Sequence, residues 1–213
     1  MTQRKYRLSD RLLMAVDGLL RAGQKATDTA EPSPASTVTD SITSTTQKAE
    51  SARLMRVNHT GEVCAQALYL GQAALARSEA TRALLERAAA EEQAHLQWCA
   101  ARLGELDATP SRLNRVWFGG AYLIGLGSAA LGDRTSLGFL RETEKQVVAH
   151  LDDHLARLPV ADRKSRAILT RMRRDEATHA ARAESMGAAP LPAPVRGLMR
   201  LQAVVMKTVA SRI

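Results

Sequence analysis

From Glu50 onward the chain repeats one pattern, apolar residues three and four apart with polar ones between, broken by glycine, proline or short polar runs. That period belongs to helices with one buried face. It predicts helices over about 51–78, 80–104, 134–158 and 161–186, with Gly104 and Gly187 as stops and Pro110 and Pro159 between segments. The run RVNHTGE is expected to supply helix-start chemistry, with Asn58 or Thr60 as cap. The stretch 114–132 departs from the pattern. Its part 116–132 carries no charge and five glycines, too short and too glycine-rich for a spanning helix, which needs about 20 apolar residues. A helix at an interface, or lining an apolar pocket, is expected there.

Two flanking segments alternate apolar and basic residues. Leu8, Leu12, Leu13, Val16, Leu19 and Leu20 predict an amphipathic helix over 6–22, within a segment 1–24. Val195, Leu198, Leu201, Val204 and Val205 among Arg196, Arg200 and Lys207 predict a membrane-binding segment at 191–213. Residues 25–49 are rich in Ser, Thr and Pro with almost no large apolar group, so a flexible linker is expected, leaving 50–190 for the helical bundle.

Composition sharpens this picture in three ways. Of 213 residues 45% are hydrophobic but only 3% aromatic, which suits helices better than strands. Two cysteines, Cys64 and Cys99, are too few for a disulfide framework and read as small core residues. A net charge of +8 points to an anionic partner, nucleic acid or a membrane surface. The N-terminus has no continuous apolar run, and Asp10 and Asp17 interrupt its basic stretch, so neither a secretory signal nor an organellar presequence is expected.

The chemistry lies in a repeated motif. Glu-x-x-His occurs as Glu92–His95 and as Glu176–His179, and that spacing puts both side chains on one helix face. Glu62 lies 30 residues before Glu92, and Glu144 lies 32 before Glu176, so a tight turn brings each level with its antiparallel neighbour. The hairpin thus occurs twice, an internal repeat. Two facing hairpins give four carboxylates and two imidazoles, the ligand set of carboxylate-bridged di-iron and di-manganese bundles. Four negative charges balance two divalent cations, and the donors suit iron or manganese.

Asp175, and less strongly Glu91, are placed to hold a ligand imidazole by its free N–H. His150 is off the face of Glu144, on the rim or the surface; His154 is expected to be exposed; Tyr69 shares the face of Glu62 and reads as a core aromatic. Besides a metal enzyme on a membrane, the charge admits a di-iron hydroxylase of modified tRNA, and the ligand set admits a ferritin-like iron-storage or scaffold subunit.

Over about residues 50–213 the chain resembles the demethoxyubiquinone hydroxylases of ubiquinone biosynthesis, through RVNHTGE, EEQAHLQWC, ETEKQVVAHLDDHL and RRDEATHAARA together with the glycine-rich segment and basic tail. The resemblance implies an all-α, ferritin-like four-helix bundle with an internal hairpin repeat. It implies that Glu62, Glu92, His95, Glu144, Glu176 and His179 are catalytic ligands of two iron ions. It further implies O2-dependent hydroxylation of a polyprenyl demethoxyubiquinol, at the cytoplasmic face of the inner membrane, beside other ubiquinone-biosynthesis proteins and without nucleic acid. No nucleotide-binding glycine motif is present, so electrons are expected through the substrate or a separate partner.

Overall fold

Six helices run through residues 31–213, the part of the chain that this computed structural model describes; the helix expected over 6–22 lies outside the described residues. They are α1 (Thr45–Leu75), α2 (Glu79–Glu105), α3 (Asn114–Ala130), α4 (Asp133–Arg157), α5 (Arg163–Ser185) and α6 (Ala193–Ala210). No strand occurs among the described residues, in keeping with the ferritin-like helical bundle expected.

Side-chain caps fix where the long helices begin. Ser44 Oγ accepts from the Gln47 N–H at 3.4 Å, Ser78 Oγ from Thr81 at 3.1 Å and Asp162 Oδ1 from Ser165 at 2.9 Å. The cap at Ser44 starts α1 earlier than its apolar pattern suggests and carries it straight through Asn58, His59 and Thr60, which therefore cap nothing. Two of these turn inward instead. Thr60 Oγ1 donates to Asn114 Oδ1 at 2.9 Å, and Asn114 Nδ2 meets His59 Nδ1 at 3.2 Å, tying α1 to the start of α3. At the end of α2 the helix continues through Gly104, and the left-handed position falls on Asp107 (φ 55°). Gly187 (φ 84°) ends α5 as its sequence predicts.

One glycine of α3, Gly125, has a packing reason. A Cβ on Gly125 would lie 2.2 Å from the Leu68 carbonyl oxygen, and one on Gly71 would lie 2.3 Å from that of Tyr122. The backbones of α1 and α3 thus touch at a crossing that only glycine permits. One face of α3 is buried through Phe118, Ala121 and Ala129, while Val116, Leu123 and Leu131 stand exposed.

The linker expected over 25–49 is corrected where it is described. Residues 31–44 lie against the bundle: Ala35 is buried, the Ser41 N–H donates to the Ala161 carbonyl at 3.3 Å, and Asp40 Oδ2 pairs with Arg102 at 2.6 Å. Arg102 also holds Asp162 at 2.8 Å and Glu105 at 2.7 Å. Polar anchoring to the bundle, rather than apolar burial, orders this segment, and such anchoring leaves no trace in hydrophobic periodicity.

The four long helices α1, α2, α4 and α5 enclose two apolar clusters. One contains Leu54, Met55, Trp98, Leu103, Leu151 and Met172; the other contains Leu68, Tyr69, Leu85, Leu140 and Ala183. Along each helix the candidate ligands fall between these two plugs, so water is kept from both ends of the site.

Candidate metal centre

The four glutamates and two histidines singled out by spacing meet at the middle of the bundle, each at most 3% exposed. α1 supplies Glu62, α2 Glu92 and His95, α4 Glu144, and α5 Glu176 and His179. His95 Nδ1 lies 3.0 Å from Glu92, 3.1 Å from Glu176 and 3.5 Å from Glu62. His179 Nδ1 lies 3.0 Å from Glu176, 3.4 Å from Glu92 and 3.5 Å from Glu144. Two four-residue groups result, Glu62–Glu92–His95–Glu176 and Glu92–Glu144–Glu176–His179, with the ligand atoms of each within 4.8 Å of one another. Glu92 and Glu176 belong to both groups.

Without cations this cluster is electrostatically costly. Burial, then the neighbouring acids, pushes the Glu62 and Glu144 carboxyls well above the usual range. Glu92 goes the other way: burial opposes it, but the adjacent imidazoles of His179 and His95 hold it ionised. Both imidazoles are driven upward despite burial, by the surrounding carboxylates. Protons thus stand in for positive charge.

The residues fit a pair of divalent ions by charge and by donors. Glu144 Oε2 has no hydrogen-bond partner, and Glu92 Oε1 and Glu176 Oε1 face imidazole nitrogens without forming hydrogen bonds. Buried oxygens of that kind are expected to be ligated.

The outward imidazole nitrogens are held in a crossed pattern. His95 on α2 meets Asp175 of α5 through Nε2 at 3.2 Å, while His179 on α5 meets Glu91 of α2 at 2.5 Å. Each acid therefore supports the histidine of the opposite helix, an arrangement that fixes which ring nitrogen faces the centre.

Two expectations change. Tyr69 is buried, yet its hydroxyl donates to Glu144 Oε1, so it touches the centre as well as filling the core. Its position seven residues after Glu62 was the available signal. His154, expected on the surface, is only 3% exposed and packs edge-on against His150 with ring centroids 3.8 Å apart. His150 itself is half-buried in the wall of a cavity.

That cavity, of about 460 Å³, lies among α1, α3, α4 and α6 and is bordered by Asn58, Glu62, Trp117, Ile124, Met199 and Val204. The Asn58 amide, one helical turn before Glu62, is buried without a partner for either polar atom. Nothing in the sequence marks Asn58 as different from other helix-surface amides. Cys64 borders the same space, its thiol pushed up to about 12 by burial and by Glu62, and is inert as a nucleophile. Cys99 is buried in the core as expected.

A helical bundle in which two helices give a glutamate each and two give a Glu-x-x-His each is the architecture of the ferritin-like carboxylate metalloproteins. The family model described as "Ubiquinone biosynthesis protein COQ7" matches residues 49–210. A 3-demethoxyubiquinol 3-hydroxylase of Xanthomonas axonopodis pv. citri is 51% identical over 210 residues, covering 95% of this chain and 97% of the relative. The enzyme of the same name from Variovorax paradoxus is 52% identical over 209 residues, covering 96% and 98%. A third, from Nitrosomonas eutropha, is 47% identical over 201 residues, covering 94% and 97%. The chain belongs to the COQ7 family of ubiquinone biosynthesis proteins.

Proposed function

We propose that this chain is the hydroxylase of a 3-demethoxyubiquinol, using O2 and two iron ions held by Glu62, Glu92, His95, Glu144, Glu176 and His179. The observation that carries the reading is the double position of Glu62, which belongs to the carboxylate–imidazole cluster and also borders the cavity. A quinol ring seated there meets the centre directly. Relatives matched end to end bear the quinol name, which supports a quinol substrate over a tRNA or an iron store.

When bound, the iron pair supplies the redox chemistry that activates O2. The chain supplies everything around it. Glu92 and Glu176, common to both four-residue groups, would help hold both ions, Asp175 and Glu91 fix the imidazole rings, and the apolar clusters above and below exclude water. The Tyr69 phenol stays protonated, because burial and then Glu144 push it up, and it orients the carboxylate of Glu144. Cavity walls such as Trp117, Ile124 and Met199 suit a flat ring and the start of a prenyl tail.

Access to a lipid-soluble substrate is assigned to α3 and α6. No helix of the described residues is long and apolar enough to cross a membrane. α6 nevertheless presents Leu198, Leu201, Val204 and Val205 outward beside Arg196, Arg200 and Lys207, and Val204, Met199 and Lys207 also border the cavity. This suits a helix lying in a head-group layer at the cytoplasmic face of the inner membrane, with basic side chains on anionic lipid.

Anaerobic loading with ferrous iron, followed by a demethoxyquinol analogue and O2, tests the reading. It predicts two iron ions per chain and a hydroxylated ring; a loaded chain that leaves the quinol unchanged overturns it.

A further inference from the structure

The crossed acids that hold the two imidazoles are themselves held, and not alike. Arg171 Nε donates to Asp175 Oδ2 at 2.8 Å and Oδ1 at 3.1 Å, so it grips the very oxygen that meets His95. Its Nη2 reaches Glu31 Oε1 at 2.9 Å, and its guanidinium sits 5.7 Å over the Trp98 ring. The Trp98 indole N–H donates to the Glu31 carbonyl at 3.3 Å, and the Trp98 ring lies 5.2 Å from that of His95. His95, Asp175, Arg171, Glu31 and Trp98 thus close a ring of contacts. On the other side, Arg182 Nη1 meets Glu91 at 3.2 Å and 3.3 Å, and Glu91 is the only acid it contacts among the described residues.

An exposed arginine–acid pair four residues apart on a helix is ordinarily worth little. Here the acid ends on a buried imidazole, so a fixed carboxylate becomes a fixed ring. We propose that Arg171 is a positioning residue for His95, acting through Asp175, and that Glu31, in the segment before α1, holds Arg171 in place; Arg182 serves His179 through Glu91 with no contact to the described residues 31–44 of that segment. Among the described residues, one half of the centre is therefore tied to the chain ahead of the bundle, and the other half is not. The inference rests on the reading of His95 and His179 as metal ligands.

The test uses Co2+ alone on the full chain, followed by binding isotherms and by the solvent-exchangeable, paramagnetically shifted imidazole N–H resonances. Loss of an outer partner of a metal-bound histidine weakens metal binding by about 10–100-fold. Asp175→Asn should reach that range for one ion of the two. Arg171→Ala, one contact further out, should cost that same ion roughly 3–10-fold, and Glu31→Ala about twofold, following the same attenuation with distance from the ligand. The N–H signal of His95 should shift in all three variants while that of His179 stays, and Arg182→Ala should reverse the pattern. Because Arg171 acts through Asp175, the double variant should be no weaker than Asp175→Asn alone. Glu31→Ala, at an exposed position outside every helix, keeps the test open if Arg171→Ala misfolds. Equal effects on both resonances, no effect on either, or full additivity of the double variant overturns the inference. A wild-type chain that takes up no Co2+ overturns the metal reading as well, which separates the two failures.

Discussion

The centre of the bundle and the outer face of α6 each reverse the usual placement of side chains, in opposite senses. The centre buries four carboxylates and two imidazoles between apolar plugs. The α6 face exposes Leu198 at 66%, Leu201 at 59% and Val205 at 48% among basic residues. Neither is a stable arrangement in water on its own. The first asks for cations and the second for an apolar phase, and the cavity bordered by Glu62 and Val204 joins them. Each unsatisfied region thus names the kind of partner it lacks.

Removing a charge at the centre should have the largest effect. Glu144→Gln should abolish hydroxylation and weaken metal uptake while helical content stays near wild type. Stability of the metal-free protein should rise, because one buried acid disappears from a crowded set. A gain of ~1 kcal/mol corresponds to a melting temperature about 2–4 °C higher for a chain of this size. Calorimetry of the metal-free variant reads it, and a lower melting temperature would mean the acids are not in conflict.

Altering the face comes next. Replacing Leu198, Leu201 and Val205 with serine should reduce binding to anionic vesicles by about a hundredfold or more, at ~1 kcal/mol or more per side chain withdrawn from lipid. Metal content should not move. Unchanged vesicle binding would take α6 out of the membrane argument.

The histidines between the two regions give a smaller effect. Burial pushes His59 down to about 4, and burial followed by His150 pushes His154 down to about 2. The unfolded chain therefore binds protons first as pH falls. Their contribution to stability is complete above about pH 6.5, the usual histidine value, and is lost on acidification toward about 4 for His59 and about 2 for His154. His154→Leu should flatten the fall in stability between pH 6.5 and 5 by ~1 kcal/mol. Denaturant titrations of the metal-free protein at both pH values check this, and an unaltered slope would show that His154 is not held neutral.

Tyr69→Phe should have the smallest effect. It frees Glu144 Oε1 and should change turnover by roughly threefold, within the range of about 0.5–1.5 kcal/mol for one hydrogen bond, with both ions retained. Loss of an ion would make the phenol part of the ion-holding set.

The cluster of four glutamates and two histidines is legible in the sequence because its spacing is local. Glu-x-x-His fixes a helix face, and 30 or 32 residues fix a hairpin. Pairings between hairpins were not legible. That Asp175 supports His95 and Glu91 supports His179 depends on how two helices 80 or more residues apart face each other, and no spacing encodes it. Polar anchoring was invisible for the same reason. Residues 31–44 read as a linker because they bury little apolar surface, yet Asp40 and Ser41 fasten them to the bundle. His154 is buried although its neighbours Asp153 and Arg157 are charged, because the helix turns it toward His150.

A count of ferrous ions bound per chain, in the wild type and in Glu92→Ala, bears most directly on the centre. Glu92 lies in both four-residue groups, whereas Glu62 lies in one. Two ions in the wild type, with both lost in Glu92→Ala and only one weakened in Glu62→Ala, is the result expected; a wild type holding fewer than two, or a Glu92→Ala chain holding the full pair, would contradict it.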